Sequence, residues 1–431
     1  MDQLGSKELN KESYLIALWL IQVATDSGNN NSSISPIRII LVTMASSGAI
    51  AWFFVLTTYF PQFFQQATNN QSIVFLANFL LFGFGAVSTV ITALISNKID
   101  RKKLLLFSIT LGTLSTGLLA FINGELTALI LASLMGLSFG LQFPSSMALL
   151  VDRTAIENRG KYVGIMVLAT FILILLGIFG ITILGLFAST LSLAVLRATS
   201  YLTLATNKCD RLKTEAHPIV SILKGRSFIL YLVPWLIFCL VSGLGNFVYP
   251  GLPKTPAYDE AITLGSELQF LGVAVFSLVS GFITDRFGRR LPIIIGVVVF
   301  GASFAILGFA TSPLSVVVHS AIFGIAWGFC MVAFFLIPGD LARGKSNEQY
   351  YALNAVLPFI FFSVTSSLPH SLNISAPVGI LSPLFSVLLF LSVIPVLYAP
   401  ETLPENVLKA KNLKNHMRKL EKVFEEAKEE N

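Results

Sequence analysis

The chain has 431 residues, of which 54% are hydrophobic and 12% charged, with a mean hydropathy of +0.77. Soluble domains carry about 25% charged residues, so this composition excludes a string of soluble domains and places the chain in a bilayer. The net charge of +6 is gathered in short clusters between apolar runs. That pattern points to membrane topology and not to a nucleic-acid-binding face.

The first 35 residues hold one apolar stretch, Tyr14–Ala24, too short to cross a membrane. Asp2, Glu8 and Glu12 offset Lys7 and Lys11, and no small-residue cleavage site follows. An interfacial helix is therefore expected in preference to a signal peptide. Asp26–Ser35 reads as a flexible linker.

A bilayer core of about 30 Å takes roughly 20 apolar residues in a helix. Twelve segments meet that length. They are Ile39–Phe60, Ile73–Ile95, Leu104–Ile122, Leu126–Val151, Tyr162–Ile181 and Ile183–Ala205, then Phe228–Tyr249, Ala261–Ile283, Leu291–Ala310, Leu314–Ile337, Tyr350–Ser367 and Ile380–Tyr398. The fifth and sixth run together, with Gly177, Gly180 and Gly185 as the only break. An all-α polytopic membrane protein follows, because a helix satisfies its own backbone groups in lipid. The expected divisions are residues 1–35, a first bundle at 36–205, a linker at 206–226, a second bundle at 227–402 and a charged helix at 403–431. In that last helix Leu413, Met417, Leu420 and Phe424 form one apolar stripe. It suits docking on the cytoplasmic face, pairing with another chain, or lying near anionic lipid.

Lysine and arginine set the orientation. With the amino terminus inside, one side holds Arg38, Lys98, Arg101, Lys102, Lys103, Arg153, Arg159, Lys161, Arg286, Arg289, Arg290, Arg343 and Lys345. The other side has only Lys254. A multi-pass protein of the cell membrane with both termini cytoplasmic is expected.

The two halves overlay without a gap. Ser96-Asn-Lys-Ile-Asp-Arg-Lys-Lys103 lies over Thr284-Asp-Arg-Phe-Gly-Arg-Arg-Leu291 at an offset of 188 residues. The same offset pairs Asp152 with Asp340, Gly136 with Gly324, Gly140 with Gly328 and Tyr162 with Tyr350. Twelve transmembrane helices arranged as two six-helix bundles, related by a parallel pseudo-twofold, are expected.

Gly281-Phe-Ile-Thr-Asp-Arg-Phe-Gly-Arg-Arg290 resembles the loop signature of the major facilitator superfamily. Glu157-Asn-Arg-Gly160 resembles that family's loop after the fourth span, and Pro400-Glu-Thr402 resembles the opening of a sugar-porter signature. The resemblance covers the chain from Arg38 to Thr402. Its first-half copy is degenerate, with Asn97 in place of the acid and Asp100 in place of the glycine. The resemblance implies a secondary active transporter or facilitator that moves a small solute by alternating access. It also implies a cytoplasmic gate latched by Asp285, Arg286, Gly288, Arg289 and Arg290, by Asn97, Lys98 and Arg101, and by Asp152, Arg159, Gly160, Asp340 and Arg343. By pseudo-symmetry Asp285 is expected near Gly160 and Asn97 near Tyr350. The paired glutamines of sugar porters are missing, since Cys239 and Leu240 stand there, so a hexose is not the expected substrate. The drug-antiporter arginine is missing too, with Ala132 before Gly136 and Ser320 before Gly324.

Ionisable residues at membrane depth default to function. Glu267 and His319 read either as interfacial residues or as carriers of a coupling proton, and Arg197 is expected to snorkel to the cytoplasmic side. Asn246, Asn78 and Trp327 are the neutral candidates for a central cavity. No Walker loop, nucleophile constellation or zinc motif is present, and Cys209, Cys239 and Cys330 have no paired spacing. No enzyme, cofactor or metal is expected. The expected partners are a small-molecule substrate, membrane lipids and a coupling proton, with the chain acting as a monomer. Two rivals stay open: a receptor or scaffold that binds a solute without moving it, and a translocator of hydrophobic compounds or lipids.

Overall fold

In a computed structural model the chain is described over residues 36–65, 70–204, 219–245, 248–309, 312–342, 346–365 and 378–409, with Thr68, Leu413 and Met417. The expected N-terminal interfacial helix, most of the C-terminal stripe, Asn246 and Arg343 lie outside these residues. Met1–Ile40 separates as one unit, of which the start of the first helix is described. All contacts below lie within the second unit, Leu41–Asn431.

The described residues form helices α1 (Pro36–Gln65), α2 (Gln71–Ile95), α3 (Arg101–Leu118), α4 (Glu125–Arg153), α5 (Arg159–Ala198), α6 (Ile219–Leu223), α7 (Arg226–Leu244) and α8 (Pro256–Phe287). They continue with α9 (Arg290–Phe309), α10 (Pro313–Ala342), α11 (Asn347–Thr365), α12 (Val378–Leu391) and α13 (Val393–Tyr398). Ten helical stretches are long and apolar enough to cross a membrane. The other two expected spans are helical as well. The 40 residues of α5 exceed one crossing, and Gly185, at φ 72°, divides them into arms at 159–184 and 186–198. Only glycine takes that backbone region freely. The first turns of α11 carry Asn347, Glu348 and Gln349, with Asn354 beyond, which dilutes its hydropathy.

Lipid gives no hydrophobic drive for helix association, so close approach of small residues replaces it. A side chain at Gly136 or Gly140 would strike the carbonyls of Leu81 and Gly85, which lets α4 lie against α2. One at Gly324 or Gly328 would meet the backbone of Gln269 and Val273, which lets α10 lie against α8. Leu81 and Gly85 stand 188 residues before Gln269 and Val273, so the repeat is built into the packing.

Two seams join the halves. At the first, α5 crosses α8, where a Cβ on Gly164 would lie 2.7 Å from the Ser277 carbonyl oxygen and one on Gly281 would lie 2.6 Å from that of Gly160. At the second, α2 runs beside α11, and the Ser363 hydroxyl donates to the Phe79 carbonyl at 3.0 Å. Large apolar side chains such as Leu94, Phe179, Phe282 and Leu397 are exposed on the outside, where lipid would cover them.

Candidate functional site

The basic loops sit at one end of the helices, and two charge clusters close the seams there. In the second-half cluster Asp285, in the last turn of α8, accepts from the Gly160 and Lys161 amides at 2.8 Å each. Those amides belong to the open first turn of α5, where a carboxylate meets both free N–H groups and the helix dipole. Arg289 donates to Asp285 at 3.0 Å, to Asp340 at 2.8 Å and to the Ile156 carbonyl at 2.9 Å. The second oxygen of Asp340 takes a hydrogen bond from Arg159. The side chains therefore form a closed ring running from α5 through Asp285, Arg289, Asp340 and Arg159 back to α5. The side chains of Arg289 and Asp340 have no exposed surface. Burial alone would lower the pKa of Arg289, but the Asp340 and Asp285 carboxylates outweigh it and hold the pKa above its ordinary value.

Gly288 turns the chain at φ 98° and packs against Glu401. Glu401 accepts from the Arg289 amide at 2.8 Å and the Arg290 amide at 3.3 Å, capping the start of α9. Two expected members of this cluster lie off the ring. Arg290 bonds to the Val396 and Leu397 carbonyls of α13, within its own half. Arg286 is exposed, with its guanidinium 5.3 Å from the Phe287 ring centroid.

The first-half cluster keeps the register and changes the chemistry. Arg101 donates to Asp152 at 2.8 Å and to Glu348 at 2.6 Å, and Asn347 donates to the other oxygen of Asp152. At the offset of 188, Asn347 corresponds to Arg159 and Glu348 to Gly160. Asn97 is half-buried and takes no part in these bonds, because Glu348 occupies Arg101 from across the seam. Lys98 is exposed. Asp100 caps α3 through the Lys102 amide at 3.0 Å, the task that Glu401 performs for α9. Glu348, Asn347 and Glu401 were absent from the sequence-based candidates. The offset that pairs 159 with 347 and 160 with 348 was the available signal.

Above these clusters, between the halves, lies a cavity of about 690 Å³. Of the twenty-three described residues that line it thirteen are aromatic, and none of the twenty-three is Asp, Glu, Lys, Arg or His. Phe53 stacks on Phe139 with centroids 4.0 Å apart, and Phe359 stands edge-on to both at 5.8 Å. Phe82 and Phe270 line it as a pair in register, as do Phe139 and Trp327. Asn78 and Trp327 are among the residues that line it. Trp327 precedes Asp340 by thirteen residues on α10, about 20 Å along the helix.

The ionisable candidates lie elsewhere. Glu267 is exposed and does not line the cavity, whereas Gln269 and Phe270 do. His319 is buried, with Nδ1 3.0 Å from the Ser303 carbonyl. It sits behind Phe323 and Tyr249, which do line the cavity. Arg197 does not snorkel. It is fully buried in the first half, bonded to Gln142, to Ser138 at 2.6 Å and to the Ser108 carbonyl at 3.4 Å. Its guanidinium lies 4.6 Å from the Trp52 ring centroid. Together with the Ser200 hydroxyl at 3.5 Å, four oxygens and a ring face surround the guanidinium.

Comparison with known proteins gives a consistent family. The model of the Major Facilitator Superfamily matches residues 39–357. The multidrug transporter protein MdtP of Bacillus subtilis (strain 168) is 26% identical over 117 residues, 25% of this chain and 22% of that protein. The MFS-type transporter clz4 of Cochliobolus lunatus is 28% identical over 119 residues, 28% of this chain and 21% of that protein. The matched stretches thus span about a fifth of those relatives' own length. The crystal structure of the human organic anion transporter MFSD10 (TETRAN) superposes with a TM-score of 0.66 at 12% identity, covering 84% of this chain and 100% of that one.

Proposed function

Because this chain belongs to the Major Facilitator Superfamily, we propose that it is a secondary transporter or facilitator carrying a small solute by alternating access. The observation that supports this most is the aromatic cavity between the halves, with both seams bridged by charge clusters on the basic-loop side. The basic loops are cytoplasmic by the positive-inside rule, so this conformation is closed to the cytoplasm. Opening inward requires both clusters to part. Their strength sets the balance between the two states.

Glu267 and His319 lie off the cavity, which favours facilitated passage over proton coupling at the site. The phrase organic anion belongs to the human neighbour, and here no basic side chain is among the described residues that line the cavity. The purified protein is to be screened by thermal shift, and compounds that bind are then offered to proteoliposomes. Uptake above that of protein-free vesicles is expected. Binding without uptake would place the chain among receptors instead.

A further inference from the structure

We propose that the cavity takes an uncharged aromatic amphiphile in one orientation, its ring against the first half and its hydrogen-bonding group toward the second half. The proposal rests on reading this cavity as the transported solute's site. It comes from comparing the two walls position by position at the offset of 188 residues. Ser242 of the second half answers Phe54 of the first, Gln269 answers Leu81, Trp327 answers Phe139 and Asn354 answers Met166. At these four positions the second half carries a hydrogen-bonding side chain and the first half carries none, although the Ser242 hydroxyl donates to the Phe238 carbonyl of its own helix at 2.7 Å.

More of the hydrogen-bonding side chains that line the cavity lie on the same wall, with Ser242, Tyr249, Gln269, Trp327 and Asn354 there against Thr57, Thr58 and Asn78 on the first-half wall. The half-buried amide of Gln269 lines the cavity and has no hydrogen-bond partner among the described residues. Asn354 donates to the Phe334 carbonyl at 3.4 Å, and its side-chain oxygen has no protein donor. The indole N–H of Trp327 is buried without an acceptor. On the first-half wall Thr57 and Thr58 spend their hydroxyls on the Phe54 carbonyl of their own helix, at 3.0 and 2.8 Å. Facing Gln269 and Trp327 across the cavity are the Phe53–Phe139 stack and Phe82, which offer ring faces and edges.

No described lining residue carries a charge, so a charged ligand would give up its water with no counter-charge among them to replace it. A polyhydroxylated ligand would set hydroxyls against phenylalanine on one side. A volume of about 690 Å³ suits a molecule of drug size.

The test is equilibrium binding of radiolabelled naphthamide to the full chain in nanodiscs. The competitors are naphthalene, naphthoate, naphthylmethylammonium and glucose, which vary charge and polarity around one ring system. Naphthamide is expected to bind above protein-free discs, with both charged analogues about tenfold weaker or worse and glucose ineffective. Gln269→Leu installs the residue found at the matching position 81. It should weaken naphthamide about tenfold and leave naphthalene within about twofold. Gln269→Met removes the same amide and replaces Gln269→Leu should that variant fail to fold. Phe139→Ala should weaken both ligands. A charged analogue binding as tightly as naphthamide, no specific naphthamide binding, or unchanged affinity in the Gln269 variant would each overturn the proposal. Naphthamide binding without uptake into proteoliposomes would leave this assignment standing and sink the transport reading alone. Uptake of another solute class without naphthamide binding would do the reverse.

Discussion

The second-half cluster keeps its acid, Asp285, at the end of α8 and aims it at the bare amino terminus of α5, whereas the first-half cluster has Asn97 there and carries its acid, Glu348, on α11. Each arrangement gives the loop arginine a carboxylate of its own half, Asp340 or Asp152, and a second acid. In one half that second acid reaches across the seam to a helix end. In the other it reaches back from the helix to the arginine. A bridging charge can thus change sides of a seam without losing its arginine, provided the receiving position lies within hydrogen-bond reach. What does not transfer is the capping of two amides, because Glu348 already belongs to the turn that would be capped. The second-half cluster also draws in Arg159, where the first-half cluster has only the neutral Asn347. The second cluster should therefore be the stronger.

The largest effect that would break this comparison is expected at the two buried acids. Asp340→Asn leaves Arg159 and Arg289 without their shared carboxylate, a loss of about 3–5 kcal/mol for a buried pair. Thermal unfolding in detergent should show a steep fall in stability or no folded protein. Asp152→Asn, at a side chain 11% exposed and facing one arginine, should cost less, about 1–3 kcal/mol. Equal losses would mean the two clusters do not differ as described.

Next in size is Asp285→Asn, which keeps shape but removes the charge that caps α5. A helix-terminal charge in a partly buried site is worth up to about 2 kcal/mol, so the closed-to-open ratio should fall about tenfold. Glu348→Gln should lower it by about fivefold, for about 1 kcal/mol lost at a largely buried ion pair. Adding Asn97→Asp to Glu348→Gln returns the acid to its second-half position, and solute uptake should recover toward wild type. Failure to recover would show that position 97 cannot serve Arg101. The smallest effect is expected for Arg286→Ala, which removes an exposed residue outside the ring. Uptake and stability should both stay within error of wild type.

Much of this was legible in the chain, and the reasons are local. Gly136, Gly140, Gly324 and Gly328 recur at one offset because close helix approach demands small residues at fixed positions. Asp285 opposite Gly160 could be read because an acid at one helix end and a glycine at another helix start are both positional signals. Glu348 was harder to read, since an acid in the first turn of α11 is ordinary, its partner stands 247 residues earlier, and only the offset that sets it opposite Gly160 points to it. The cavity was hidden for a different reason. Phe139 faces the cavity and Phe179 faces outward, yet both sit in uniformly apolar helices. In lipid both faces of a helix are apolar, so periodicity separates them poorly. The break in α5 was visible as three candidate glycines, and only the backbone angle at Gly185 selects one of them.

The most direct test places spin labels on the basic-loop ends of α3 and α9 in otherwise intact protein and measures their separation by double electron–electron resonance. Wild type should show mainly the short distance of the closed clusters. Asp285→Asn should move the population toward a longer distance by about tenfold, and Glu348→Gln should move it less. Identical distance distributions in all three proteins would contradict the latch, and with it the claim that these clusters set the balance of an alternating-access cycle.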